Sequence, residues 1–265
     1  MADQIGIPAA YMRGGTSKGL LFDKKDLPSD REKLTKFLLT VMGSPDLRQI
    51  NGMGGATSVT SKVCIVSKSD IKNVDLDYFF AQVSVDQSIV DYGPTCGNML
   101  SAVGPFAIER GLVQAKNPKT TIVIRSVNTG SIIEADIPTP NNKITYSGQF
   151  KIAGVPGSGS PILLKFKNIV GGSTGKLLPT GQPTIQIEGI EVTCLDVSMP
   201  IVMANALDFG VKGNETSKEL NNNKNLLKKI EKIRLLAALK MGMGDVRDKV
   251  IPKFALLSKP LNGGT

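Results

Sequence analysis

Tyr92-Gly93-Pro94-Thr95-Cys96-Gly97-Asn98 runs directly into Met99-Leu100-Ser101-Ala102-Val103-Gly104-Pro105-Phe106-Ala107-Ile108, an almost wholly apolar segment. Gly and Pro mark a turn, a thiol follows, and Leu100, Val103 and Ala107 then recur at helical spacing. Met99, Ala102 and Phe106 are apolar on the other side, so the spacing predicts a helix buried all round and ending near Gly111. Cys96 stands at its first turn. Unpaired backbone N–H groups and the positive end of the helix dipole favour a thiolate there, and the same N–H groups can hold a carboxylate. The competing reading is a plain core cysteine, because a free thiol packs as a small hydrophobe.

The composition around this segment narrows the chemistry. With 265 residues, 41% hydrophobic and 21% charged, the chain has the balance of an ordinary globular protein long enough for two domains. No apolar run reaches the length of a membrane span and the start carries no basic, apolar leader, which points to the cytoplasm. Three cysteines (Cys64, Cys96 and Cys194) are too few, and odd in number, for a disulfide framework. There is no histidine. That removes His-based nucleophilic triads and His-ligated metals, and dispersed cysteines without CxxC argue against zinc. Acid–base work is left to Lys, Cys, Asp, Glu or Tyr. The net charge of +9 is local: residues 211–265 hold 12 Lys/Arg against 5 Asp/Glu, mostly within Lys218 to Lys240, which reads as a lysine-rich surface helix. Without Trp and with 5% aromatic residues there is little for bases to stack on, so nucleic acid is not the expected partner.

Residues 7–22 read as a strand, a glycine turn over Arg13–Gly19 and a second strand at Leu20-Leu21-Phe22. Leu34, Phe37, Leu38 and Val41 are helically spaced from Asp30 to Met42, with Ser29 or Asp30 as N-cap and Gly43 as stop. Strands are expected at Ser58–Val66, Phe79–Val85, Thr120–Val127, Ser131–Ile137, Tyr146–Ile152, Ile185–Glu188, Val192–Val197, Ile201–Met203 and Ile251–Ser258. Asn128-Thr129-Gly130 is a hairpin signal, and Gly171–Gly181 is the expected boundary or hinge. Many short strands around one strongly apolar helix make an α+β architecture.

Two further features bear on chemistry. Lys62 lies inside an apolar strand, where alternation puts it on one face with Thr60, Cys64 and Val66. An inward lysine loses hydration, gives up its proton more readily and can then act as a base; an outward one is simply solvated. Three glycine-rich turns, Arg13–Gly19, Asn51–Ser58 and Gly171–Gly181, bring together flexible backbone N–H groups, hydroxyls and the cations Arg13, Lys18 and Lys176. Each alone is an ordinary turn. None is a Walker A loop, since Leu177 stands where Ser or Thr is required. Together they suggest a substrate with several carboxylates.

Four blocks then match a family pattern in order and spacing: Met12-Arg13-Gly14-Gly15-Thr16-Ser17-Lys18-Gly19; Asn51-Gly52-Met53-Gly54-Gly55-Ala56-Thr57-Ser58 followed by Lys62; Gly93-Pro94-Thr95-Cys96-Gly97-Asn98; and Gly175-Lys176-Leu177-Leu178-Pro179-Thr180-Gly181. They resemble the PrpF family, and Cys96-Gly97-Asn98 also resembles the cysteine motif of diaminopimelate epimerase. The resemblance implies a diaminopimelate epimerase-like α+β fold of two similar domains, each a β-sheet wrapped round a central helix, with the site in the cleft between. It implies a first domain over 1–180 with the catalytic Lys and Cys. It also implies an incomplete second domain over 181–265, because family members continue well past Ile251-Pro252-Lys253-Phe254-Ala255 with that domain's central helix.

The implied activity is cofactor-independent and metal-free isomerisation, moving a proton and a C=C bond in an unsaturated di- or tricarboxylic acid of the 2-methylaconitate, aconitate or 4-oxalomesaconate type. In this reading Lys62 and Cys96 are the acid/base pair. Arg13, Gly14, Gly15, Thr16, Ser17, Lys18, Asn51, Gly54, Gly55, Thr57, Ser58, Gly97, Asn98 and Lys176 hold carboxylates. The implied partners are the small polycarboxylate itself, a second copy in a homo-oligomer and a functional link to an aconitase-like enzyme, with no nucleic acid or membrane. Two alternatives stand beside it: an amino-acid racemase or epimerase of the same fold, which would use two opposed thiols, and a non-catalytic accessory binder.

Overall fold

The computed structural model describes residues 4–167 and 169–261. The chain divides into two compact units, Met1–Lys167 and Asn168–Thr265, so the boundary precedes the glycine-rich 171–181 stretch rather than falling in it or at residue 180. Among the described residues no helix is long and apolar enough to cross a membrane.

The first unit consists of β1 (Ala10–Gly14), β2 (Ser17–Asp23), α1 (Arg31–Met42), β3 (Lys62–Lys68), β4 (Leu76–Val83), β5 (Val90–Asp91), α2 (Gly97–Glu109), β6 (Lys119–Ser126), β7 (Ile132–Pro138) and β8 (Leu163–Phe166). They form one sheet in the order β1-β2-β3-β4-β6-β7-β8, with β5 paired to β4. The β2/β3 and β4/β6 pairs are parallel and the rest antiparallel. The two parallel steps are crossovers, one through α1 and the other through α2. Asp30 caps α1 by accepting from the Lys33 N–H, and Gly43, in the left-handed region, ends it, as the sequence predicts.

Strand alternation sorts the core into two layers. Leu21, Cys64, Val66, Tyr78 and Phe80 face α2, whereas Leu20, Phe22, Val63, Ile65, Ala81 and Val83 face Leu34, Leu38 and Met42 of α1. Being covered on both sides, β2 and β3 read as continuous apolar runs. Helix α2 buries Met99, Leu100, Ala102, Val103, Gly104, Pro105, Phe106 and Ala107, which is every face of its middle. The sheet curls round it, and β1, β2, β3 and β7 all touch it.

The second unit consists of β9 (Ile185–Ile187), β10 (Ile190–Val197), β11 (Met199–Asn205), α3 (Ser217–Asn222), α4 (Lys224–Lys240) and β12 (Lys253–Leu257). Its sheet order is β12-β11-β10-β9, with β11/β12 parallel. The succession of hairpin β10-β11, helix α4 and parallel strand β12 repeats that of β1-β2, α1 and β3. Among the described residues the second unit has no counterpart of α2.

Several expectations change. The Arg13–Gly19 turn is only the two-residue reversal Gly15-Thr16, and Ser17 to Gly19 already belong to β2. Ser58 to Ser61 are not strand, because the Thr60 N–H donates to the Thr57 carbonyl and closes a turn just before β3. Tyr146–Ile152 makes one isolated bridge, Phe150 to Gly159, since Gly148, Gly154, Pro156 and Gly157 break any ladder. Strands β5 and β8 were not expected from the sequence. The Lys218–Lys240 helix is two helices parted at Asn223, and α4 is not purely superficial: Leu226, Ile233, Arg234, Ala237 and Ala238 are buried.

Asp136 of β7 ties three strands together, accepting from the Thr121 hydroxyl at 2.6 Å, Lys165 Nζ at 2.9 Å and Lys119 Nζ at 3.0 Å. These contacts, the threonine's first, hold its carboxyl well below the usual carboxylate range. Its stabilising effect is therefore present above the unfolded value of about 3.9 and is lost as pH falls below it. Asp136→Asn should lower the urea midpoint at neutral pH and flatten its decline between about pH 5 and 3. Phe106→Ala, in the middle of α2, should cost about 3–5 kcal/mol in the same denaturation measurement.

Candidate active site

The start of α2 is built around Cys96. Its backbone is extended, at φ −129° and ψ 104°, and its side chain makes no capping hydrogen bond. No acidic side chain stands in the first turn, which leaves the positive end of the helix for an outside anion. The Tyr78 hydroxyl donates to the Cys96 carbonyl at 3.1 Å, and the Leu100 N–H donates to the same oxygen at 3.0 Å. Cys96 itself is half-buried, whereas Cys64 and Cys194 are buried.

Beneath it, burial pushes the Cys64 thiol well up, and nearby Cys96 adds to the shift. The Tyr78 hydrogen bond and the Lys62 charge oppose it. Burial raises the Tyr78 phenol too, with Cys64 and Cys96 contributing. Cys64 and Tyr78 thus form a neutral floor, and Cys64 lies within the field of both Lys62 and Cys96. In the second unit, Cys194 on β10 is pushed up to about 11 by burial alone, so it stays a thiol and offers no second reactive sulfur.

Lys62 opens β3 on the Cys64 face and is 9% exposed, which decides between the inward and outward readings. Its Nζ donates to Gln82 Oε1 at 2.7 Å and stands 5.1 Å from the centroid of the Phe80 ring. Register sets Gly19, Lys62, Gln82 and Asp91 in one row across β2, β3, β4 and β5. Gly19 must be glycine, because a Cβ there would lie 2.8 Å from the Lys62 carbonyl carbon.

The first glycine turn meets α2 directly. A Cβ on Gly14 would lie 2.8 Å from the Met99 Cα, and Gly15 takes a positive φ of 52° against Asn98. Asn98 Nδ2 donates to Thr16 Oγ1 at 2.9 Å and to Ser17 Oγ at 3.4 Å. Arg13 Nη1 donates to the Gly15 carbonyl at 2.7 Å. Lys18 points away along β2, its Nζ 5.4 Å from the Tyr11 ring centroid. Arg13, Gly15, Asn98, Ser101 and Tyr146 line a cavity of about 260 Å³ beside α2; neither Lys62 nor Cys96 lines it.

The other two turns use many of their amides internally. In the second, the N–H groups of Gly52, Met53, Gly54, Gly55, Ala56 and Thr57 all donate within the chain. Buried Gln49 organises it, bonding the Ala56 N–H at 2.9 Å and the Ser61 hydroxyl at 2.7 Å. Gly54 packs on Gln49, Gly55 and Thr57 on Thr60, Asn51 is exposed, and the Ser58 carbonyl accepts from Gln82. In the third, the N–H groups of Ser173 and Thr174 and the Thr174 hydroxyl donate to Asp196 Oδ2 at 2.8, 2.7 and 2.9 Å. That turn already holds an anion, the chain's own. Lys176 is exposed on it, in the second unit.

The first unit therefore gathers Lys62, Cys96, Gly97, Asn98 and Gly14 to Ser17, with the Asn51–Ser58 loop as support. Gln82, Tyr78, Gln49 and Asp196 were missed. Gln82 had a signal: it continues the Tyr78, Phe80 alternation as a polar residue on the lysine's own face. Asp196 had the same kind of signal, continuing the Val192, Cys194 alternation as a polar residue; Gln49 had none, since its partners lie in irregular segments.

Comparison with known proteins follows this geometry. The PrpF protein family model matches residues 4–264. A 4-oxalomesaconate tautomerase from Pseudomonas putida is 48% identical over 99% of this chain and 73% of its own length. A 3-methylitaconate isomerase from Eubacterium barkeri is 40% identical over 98% of this chain and 71% of its own length. The crystal structure of methylitaconate-delta-isomerase superposes with a TM-score of 0.86 at 38% identity, covering 100% of this chain and 72% of that one.

Exposure makes a direct prediction for the three thiols. Iodoacetamide on the native protein, read by peptide mass spectrometry, should label Cys96 first and leave Cys64 and Cys194 unlabelled until denaturant is added.

Proposed function

This chain belongs to the PrpF family, and on that footing we propose that it is an isomerase that moves a proton and a C=C bond within an unsaturated di- or tricarboxylic acid, without a cofactor. Lys62 and Cys96 are the residues proposed to carry the reaction. The observation that carries this reading is that both border one neutral floor, Cys64 and Tyr78, at the open start of α2.

Lys62, as the free amine, takes a proton from a carbon activated by the adjoining conjugated carboxylate. The C–H bond breaks, an N–H bond forms, and the electron pair spreads over the conjugated system as a dienolate. That charge develops beside the Gly97 and Asn98 amides and the positive end of α2, which strengthen their hold as it grows. The Cys96 thiol then gives its proton to a different carbon, and the double bond ends in a new place. Proton exchange with water returns thiolate and ammonium to thiol and amine. Since Cys64 and Tyr78 are kept protonated by burial, neither competes as a base. Arg13 and the Gly14–Ser17 turn, braced by Asn98, are proposed to hold a second carboxylate. Three free thiols suit a reducing compartment, so the cytoplasm is the proposed location.

Proton NMR in D₂O on 4-oxalomesaconate, 3-methylitaconate and 2-methylaconitate tests this directly. Turnover should appear as double-bond migration with loss of a C–H signal to deuterium. Lys62→Ala should slow that exchange by about 10²-fold or more. Unchanged exchange in this variant would remove Lys62 as the base.

A further inference from the structure

Among the described residues, Gln82 Oε1 is the only hydrogen-bond partner of Lys62 Nζ, at 2.7 Å. Its orientation is not free. Gln82 Nε2 donates to the Ser61 carbonyl at 2.9 Å and to the Ser58 carbonyl at 3.1 Å. Turning the amide over would set Oε1 against two carbonyl oxygens and point an NH₂ group at the lysine, so the network admits one orientation. Lys62 therefore faces an acceptor of fixed direction and no charge.

We propose that Gln82 is a positioning residue that aims the Lys62 amine and keeps it able to shed its proton; this rests on Lys62 as the base. A neutral amine has two N–H bonds and one lone pair. With one N–H held on Oε1, the lone pair and the second N–H take the two remaining tetrahedral positions, both turned away from Gln82. An uncharged acceptor can hold both the amine and the ammonium that forms when the proton arrives. A carboxylate in its place would favour the ammonium and block the first step.

The other groups facing Lys62 do not duplicate this. Cys64 on β3 and Tyr78 on β4 are neutral, Phe80 offers a ring face, and Gly19 on β2 has no side chain. Cys96 stands at the start of α2. Asp91 on β5, beyond Gln82 in the row, is exposed and accepts from the Gly93 N–H at 2.8 Å. The Ser58–Ser61 turn thereby gains a role: its two carbonyls fix the amide that aims the base.

The test compares wild type with Gln82→Glu and Gln82→Met. The pH dependence of Lys62 acylation by acetic anhydride, read by mass spectrometry, reports the lysine without turnover; the pH–rate profile of the isomerase reports it through turnover. Gln82→Glu should move the acylation midpoint and the basic-group limb of kcat/KM to higher pH by about one unit or more, with activity recovering as pH is raised. Gln82→Met should lower kcat about tenfold with little change in KM and no upward move of either midpoint. Melting curves check that both variants are folded. An unmoved acylation midpoint in folded Gln82→Glu overturns the proposal, as does Gln82→Met with unaltered kcat. If acylation shifts while the rate profile does not, Gln82 governs Lys62 as proposed, and it is the assignment of Lys62 as the base that fails.

Discussion

A helix that is apolar on every side must be surrounded, and the first unit is arranged to surround α2. Eight of its residues are buried, including Met99, Leu100 and Phe106, and at roughly 25 cal/mol per Å² this is a large share of the unit's hydrophobic stabilisation. A flat sheet can cover one side of a helix only. The sheet therefore curls, with β1 and β8 as its unpaired edges, and the cavity beside α2 is lined from both. The helix middle is fixed by packing, so its start is fixed as well, and that start is where polar chemistry becomes possible. Cys96 is held by its backbone, through Tyr78 and Leu100, which leaves the thiol itself uncommitted.

Strand register carries the same constraint to Lys62. Side chains alternate with a period of two, so a slip of one residue would send Lys62 to the α1 side and Val63 and Ile65 to the α2 side. The correct register is enforced by Cys64 and Val66 packing on α2 and by Gly19 lying against the Lys62 backbone. A lysine forced inward in this way must have a hydrogen-bond acceptor. Gln82 meets that need without adding a charge, and the row Gly19, Lys62, Gln82, Asp91 follows from the register alone. The packing that stabilises the unit is thus the packing that positions its most reactive groups.

What could be read from the sequence follows how local each signal is. Helix α2 was legible because its apolar residues are contiguous, and α1 because Asp30 and Gly43 act within a turn of its ends. Alternation put Lys62 on the face of Cys64, but alternation cannot say which face is buried, and the inward placement needed α2 to be seen. Strand β8 and the failed strand at 146–152 show the opposite case. Leu163–Phe166 pairs with β7 only because the chain returns to it, whereas the stretch with Tyr146, Phe150 and Ile152 on one alternating face is cut up by Gly148 and the glycines after it. Gln49 was beyond reach, since its role depends on Ser44, Ala56 and Ser61 converging in space.

The three glycine-rich turns look alike as sequence, and they divide once their amides are accounted for. A turn can bind an outside anion through its backbone only with N–H groups that have no partner inside the chain. Those of residues 52–57 are all committed internally, and those of Ser173 and Thr174 hold Asp196. Asp196 is fully buried and is gripped through Oδ2 alone; its Oδ1 has no partner among the described residues. A carboxylate so placed is a built-in occupant, because removing it would take the acceptor from the Ser173 and Thr174 amides. Glycine content therefore marks where backbone can approach closely. What approaches is decided by the nearest acceptor, which is the Asp196 side chain in the third turn and oxygens of Val41, Met42, Gln49 and Thr60 in the second. In the first turn the glycines serve a third purpose, letting the backbone of residues 14–15 lie against Asn98 at the start of α2, which has no side-chain cap.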